Sequence, residues 1–358
     1  MLKEIINQNQ TPVIPHSKPH LTAEDQAAID TALNSGMIAE GELVERFEQN
    51  VGKYLGIAGG IAASSGTSAL FLALKGLDVA EGDEVIIPSY VCRSVWDAVS
   101  AAGATPVLCD IEEDWCMSVS TVKRHVTKKT KAIIVVHIFG IVADAGSICS
   151  LGIPVIEDCC QAIGAQRENR TAGTLGEVCI VSFHATKLLS TGEGGMVLSK
   201  DRHLLSKIRE LKQGQDGRLI TRYLYPMTDL QAALGLSQLT QYNDFLDRRK
   251  FIADYYFSEL KELPFLLPHA VRNRSIFFRF PLRTTEKFEK LLSLFLFHGI
   301  HIRKGVDALL HRLWAMNPDT FPTTEKLFSE TFCIPIYPAL RDAECEKIVN
   351  CCHTVFSK

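Results

Sequence analysis

The sequence predicts an α/β protein: a mainly parallel seven-stranded sheet with helices on both faces, followed by a smaller C-terminal α+β domain. Three observations lead there. Short apolar runs alternate with segments of helical period from about residue 60 to 200. The runs are continuously apolar, as strands covered on both faces must be. Beyond residue 229 the pattern changes to one long helical stretch.

The expected strands are "GIAAS" (60–64), "DEVIIPS" (83–89), "TPVLCDI" (105–111), "KAIIVVHIF" (131–139), "IPVIED" (153–158), "EVCIVSFH" (177–184) and "GGMVLSK" (194–200). Between them, "TSALFLALKGL", "VWDAVSAAG", "VSTVKRHVT" and "DAGSICSLG" place apolar residues at spacings of three and four, which gives a doubly wound character. The segment 229–263 reads as a long helix, "SIFFRFPLR" (275–283) as a strand, and the region of 286–299 as a helix. The domains expected are residues 1–245, with an N-terminal arm, and residues 246–358.

A chain of 358 residues with 46% hydrophobic content has enough apolar mass for both cores, which excludes a disordered or fibrous protein. Its 38 basic and 41 acidic residues are interspersed, so no surface for nucleic acid or membrane is expected and the ligand should be small. The eleven cysteines show no CxxC spacing and fit a reduced cytoplasmic enzyme, with no metal site implied. The first twenty residues are polar and broken by proline, unlike a signal peptide, and no run is long enough to span a bilayer.

In an open α/β sheet, ligands gather at the carboxyl ends of the strands. Asp158, Ser182 and Lys187 all fall at or just past such ends. Lys187, in "SFHATKLLSTGEGGM", reads on its own as a solvated loop lysine. Asp158 precedes the apolar "CCQAIGA", where a carboxylate needs a partner, so a helix N-cap, an ion pair or a cationic ligand are all open. Asp110, alone after "PVLC", reads as structural. In "SSGTSAL" (64–70), Ser65, Gly66 and Thr67 turn a strand into a helix whose first N–H groups suit a phosphate, although serine and threonine also simply cap helices. No GxGxxG follows a strand and no Walker lysine occurs, so nicotinamide and nucleotide-triphosphate sites lack their marks. A phosphate cradle, a carboxylate and a lysine able to form a Schiff base together suit pyridoxal 5′-phosphate (PLP).

With these segments in this order, the chain resembles the DegT/StrS-type sugar aminotransferases, PLP enzymes of the aspartate-aminotransferase fold type I. The likeness runs from about residue 10 to 350 through "GTSAL", "GDEVIIPSY", "GATPVLCDI", "VHIFG", "VIEDCCQAIGA", "SFHATKLLSTGEGGMVLS", "DLQAALGLSQL" and "FCIPIYPAL". The resemblance implies that Lys187 bonds to the cofactor, Asp158 pairs with its ring nitrogen, Gln161 lies near its ring or hydroxyl, and Ser182, Gly66 and Thr67 hold its phosphate. Ser65, Tyr90, His184 and Arg222 are further candidates, and Glu193 is expected to shape the turn after Lys187.

Two positions depart from the family's pattern. Cys92 stands where an aromatic residue usually stacks on the cofactor, with Tyr90 or Trp96 as substitutes. Leu224 and Pro226 replace an asparagine and arginine that often reach the partner subunit's cofactor phosphate, and Arg222 is the nearby charge. The implied activity is transfer of an amino group from a donor such as glutamate to a keto-sugar, nucleotide-linked, by a homodimer in the cytoplasm. A dehydratase of the same fold would tend to carry histidine in place of Lys187, and a non-catalytic sugar-nucleotide-binding regulator would have no need of lysine, carboxylate and phosphate turn together.

Overall fold

The computed structural model of the protein describes residues 13–214 and 222–356. After an extended arm come helices α1 (Ala23–Ser35) and α2 (Glu42–Leu55). The sheet is then laid down as β1 (Gly59–Ala63), β2 (Glu84–Pro88), β3 (Thr105–Cys109), β4 (Thr130–Val136), β5 (Val155–Asp158), β6 (Val178–Ser182) and β7 (Gly195–Ser199). Five of them lie within the runs expected from sequence, and β1 and β4 each begin one residue earlier, at Gly59 and Thr130. Between them lie α3 (Gly66–Gly76), α4 (Arg93–Ala101), α5 (Val119–Lys123) and α6 (Ala145–Cys149). The spatial order is β1-β7-β6-β5-β4-β2-β3; β7 runs antiparallel to both its neighbours, and the other pairs are parallel.

Strand periodicity divides the buried side chains between two layers. Ile61, Ala63, Val178, Ile180 and Val197 pack with α3 and α4, while Ala62, Cys179, Val181, Met196 and Leu198 pack with α2 on the other side. The outer edge of β1 is closed by side chains: the Ala62 N–H donates to Glu48 Oε1 at 2.7 Å, and the Ala62 carbonyl accepts from Lys212 Nζ at 2.7 Å. Lys212 belongs to α7 (Arg202–Gln213).

Where one helix was expected over 229–263, there are two, α8 (Asp229–Thr240) and α9 (Tyr242–Glu259). Asp25 of α1 gathers Ser237 Oγ, Gln238 Nε2 and Gln241 Nε2 at 2.7, 2.6 and 3.1 Å, holding the chain where it breaks at Gln241. Helix α9 is shared between cores: Tyr242 and Phe245 pack with the α2 layer, and Ile252, Tyr256 and Phe257 pack in the C-terminal lobe.

That lobe holds β8 (Phe280–Arg283), α10 (Phe288–Phe297), β9 (Arg303–Lys304), α11 (Leu310–Leu313), α12 (Pro322–Glu330), β10 (Thr331–Ile334) and α13 (Asp342–Phe356). Its antiparallel sheet has the order β8-β10-β9. The strand expected over 275–283 begins only at Phe280. Phe277 takes a φ of +50°, and Arg249 secures the bend by donating to the Phe277 and Phe278 carbonyls. The arm pairs Ile14 with Ile300 of this lobe. Among the described residues no helix is long and apolar enough to cross a membrane.

Candidate active site

Strand ends β1, β2, β5 and β6 open into a cleft of about 300 Å³. Ser65, Gly66, Thr67, Cys92 and Asp158 line it, and so do Gln161, Ser182, His184, Lys187 and Glu193. Residues separated by more than a hundred positions are thus brought together.

The turn from β1 into α3 is pressed against its neighbours. Ser65 caps the helix by accepting from the Ser68 N–H at 3.0 Å, leaving the Gly66 and Thr67 N–H groups without intrahelical acceptors. A Cβ on Gly66 would stand 2.8 Å from the Ser182 Cβ, and one on Gly195 would stand 2.3 Å from the Ser65 carbonyl oxygen. Only glycine admits this approach of backbone to sheet.

Asp158 ends β5 and is 6% exposed. Its Oδ1 accepts one hydrogen bond, from the Cys160 N–H at 3.0 Å, and no basic side chain among the described residues pairs with it. The partner demanded by its surroundings is therefore not a neighbouring side chain. Behind it, Glu157 points to the opposite face of the strand. Glu157 accepts the N–H groups of Gly173, Leu175 and Gly176 at 2.9, 2.7 and 2.7 Å and bonds His137 Nε2 at 3.0 Å. Burial pushes its pKa up, but the His137 bond and the backbone donors outweigh burial and hold it below the ordinary value.

Lys187 sits on the loop joining the antiparallel strands β6 and β7. The Phe183 and Ala185 N–H groups bond the carbonyls of Gly194 and Gly192 across the loop, both at 2.8 Å, and the Lys187 N–H bonds the His184 carbonyl at 2.8 Å. Nζ lies 5.1 Å from the ring centroid of Phe278 and has no ion pair with a described residue. The Thr186 N–H donates to His184 Nδ1 at 3.1 Å, so Nε2 carries the imidazole hydrogen and faces Glu193 at 3.6 Å. His184 and Glu193 therefore shape the loop.

Gln161 Oε1 accepts from the Phe139 N–H at 2.7 Å, which orients the amide on the cleft wall. Cys92, the N-cap residue of α4, is solvent-exposed within the cleft. Three candidates are not brought to the cleft. Tyr90 is buried with its ring edge-on to Phe139, Trp96 stacks on Trp314 at 3.8 Å, and Arg222 is exposed beside Gly214. Neither Tyr90 nor Trp96 is placed to stand in for the aromatic residue that Cys92 replaces. Phe278 and Arg249 escaped sequence reasoning because nothing local marks a bend in the C-terminal lobe as the cover of Lys187. Asp110 is structural, as expected: it caps α12 by accepting the Thr323 and Thr324 N–H groups at 3.1 and 2.8 Å.

Residues 19–353 match the DegT/DnrJ/EryC1/StrS aminotransferase family. The chain belongs to that family. It is 31% identical to the GDP-perosamine synthase of Vibrio cholerae, over 96% of this chain and all of that protein. It is 29% identical to the spore coat polysaccharide biosynthesis protein SpsC of Bacillus subtilis, over 96% and 97% of the two chains. Among solved structures, the PLP form of the putative sugar aminotransferase Spr1654 from Streptococcus pneumoniae superimposes with a TM-score of 0.89 at 26% identity, over 96% and 98% of the chains. The protein is a PLP-dependent aminotransferase of amino-sugar biosynthesis, with the fold of these sugar aminotransferases.

The cleft of this aminotransferase fits the cofactor. The open start of α3 suits a phosphate, and the singly bonded Asp158 suits a protonated ring nitrogen. The Lys187 amine, without an ion pair among the described residues, suits a carbonyl carbon.

Proposed function

We propose that this aminotransferase moves an amino group from glutamate to a nucleotide-linked keto-sugar, with Lys187 and Asp158 as its catalytic residues. The observation that carries the assignment is the placement of Lys187, Asp158 and the first turn of α3 around one cleft. The V. cholerae relative, a GDP-perosamine synthase, supports the nucleotide-linked substrate.

When bound, PLP supplies an electron sink for the pair released as a Cα–H bond breaks. The protein's part is positional and acid–base. The Gly66 and Thr67 N–H groups with Ser182 Oγ hold the phosphate. Asp158 keeps a proton on the ring nitrogen. Lys187 Nζ takes the proton from the donor's α-carbon and returns it on the way to product, then reverses these transfers for the keto-sugar. Gln161, fixed by Phe139, orients the ring from the cleft wall.

The aminotransferase acts as a homodimer in the cytoplasm. Exposed Leu33, Met37 and Ile38, at 51%, 71% and 47%, offer an apolar face at α1 and just after it, and the segment 222–227, with Leu224 exposed, is the candidate for reaching a partner's cleft. The functional division lies near residue 245, within the helix that serves both cores.

The decisive experiment supplies glutamate without sugar to PLP-loaded protein. Release of 2-oxoglutarate, close to one per cofactor, is expected from the parent and not from Lys187→Ala. Silence with glutamate, glutamine and alanine alike would overturn the transamination reading.

A further inference from the structure

A second chain of polar groups lies beside the cleft and takes no part in the transfer chemistry. Ser89 follows β2 and opens the turn 89–92, which carries Val91 and Cys92 onto the cleft wall. Ser89 Oγ lies 2.7 Å from His311 Nδ1, and His311 Nε2 lies 2.7 Å from Glu325 Oε1. Serine, histidine and carboxylate in this order make the triad of acyl-transfer enzymes. Here Ser89 and His311 are both 0% exposed, and neither lines the cleft. A hydroxyl that no substrate reaches is not a nucleophile.

The protons can be assigned from the surroundings. The Glu325 carboxylate can only accept, so a neutral imidazole places its hydrogen on Nε2 and takes the Ser89 hydroxyl hydrogen at Nδ1, while the His311 backbone N–H donates to Ser89 Oγ at 3.2 Å. Arg312 grips both Glu325 oxygens and is the main reason its pKa lies below the ordinary value. The Leu310 N–H donates to the Ser89 carbonyl at 3.2 Å, and Phe321 stacks on the imidazole at 4.4 Å. Every atom of Ser89 that points away from the sheet is thus held by the C-terminal lobe.

We propose that Ser89, His311 and Glu325 form a positioning relay, through which the C-terminal lobe fixes the turn 89–92 and with it one wall of the cofactor site. The inference rests on the PLP reading of the cleft. In a merely structural linkage, loss of the relay would lower stability and leave the bound cofactor undisturbed. A positioning relay moves the cofactor itself.

Substitutions at His311 divide the relay, because an asparagine oxygen takes the place of Nδ1 while a glutamine nitrogen takes the place of Nε2. Cofactor dissociation constants and the visible circular dichroism of bound PLP are measured well below each variant's melting temperature. Ser89→Ala and His311→Gln, which break the bond to the turn, are expected to weaken PLP about tenfold and to shift its dichroism, while His311→Asn, which keeps the Ser89 bond and loses only the Glu325 support, weakens it about threefold. Asp110→Ala, which removes the α12 cap and loosens the same docking without touching Ser89, lowers the melting temperature and leaves the dichroism unchanged. Parent-like PLP signals in Ser89→Ala and His311→Gln would overturn the relay, as would an equal shift in Asp110→Ala. Should Ser89→Ala not fold, the glutamine and asparagine variants decide between themselves. Failure of the parent to bind PLP would count against the cofactor reading instead.

Discussion

Asp158 and Glu157 are adjacent carboxylates with opposite tasks, because alternation along β5 turns one to the cleft and the other to the interior. Asp158 keeps one oxygen bonded to a single N–H and leaves the other for a ligand. Replacing it with asparagine removes the anion that is proposed above to face the ring nitrogen, while preserving shape. The expected result is a fall of about 100-fold or more in the glutamate half-reaction, with an unchanged melting temperature. Stopped-flow absorbance of the loaded protein measures it. Glu157, by contrast, is a structural anion: Glu157→Gln leaves N–H donors facing an amide and should cost about 3 kcal/mol in urea unfolding. Its pKa is depressed in the folded state. The stabilisation is therefore present above the unfolded carboxylate pKa and is lost as pH falls through the folded value. Unfolding curves taken from pH 7 downward should show this decline in the parent and a flatter profile in Glu157→Gln.

At the scale of elements, what the sequence revealed follows physical visibility. The seven buried strands are legible because both faces are apolar, and Lys187 and Asp158 stand out where such runs stop. The break at Gln241 is invisible, since apolar spacing continues through it and its cause is Asp25, more than two hundred positions away. Helix α1 went unread although Thr22 and Asp25 form a capping box, because its apolar face is weak. At the turn from β1 into α3, proposed above to hold phosphate, the strand-to-helix switch was legible and the crowding around Gly66 was not. Gly66→Ala places a methyl 2.8 Å from the Ser182 Cβ, and PLP affinity should fall about tenfold by equilibrium dialysis.

The whole molecule is a sheet with two buried layers and a lobe docked on the carboxyl ends of β2 and β3. Trp96 against Trp314, Ser89 against His311 and Asp110 at α12 all join the two parts. In the dimer proposed above, light scattering should return twice the 39.7 kDa chain mass. Met37→Asp should shift that distribution toward single chains, since it puts a charge into an apolar contact. A parent that is active and monomeric would end the proposal.

The sealed margin of β1 bears on the chain's behaviour in crowded solution. A sheet margin with unpaired N–H and carbonyl groups is a template on which other chains can grow. Here the Ala62 groups that would invite an eighth strand are already committed to Glu48 and Lys212. The opposite margin, β3, carries Pro106, which has no N–H to offer. Each border of the sheet thus carries a residue whose backbone cannot take up a further strand, which disfavours edge-to-edge growth into fibrils.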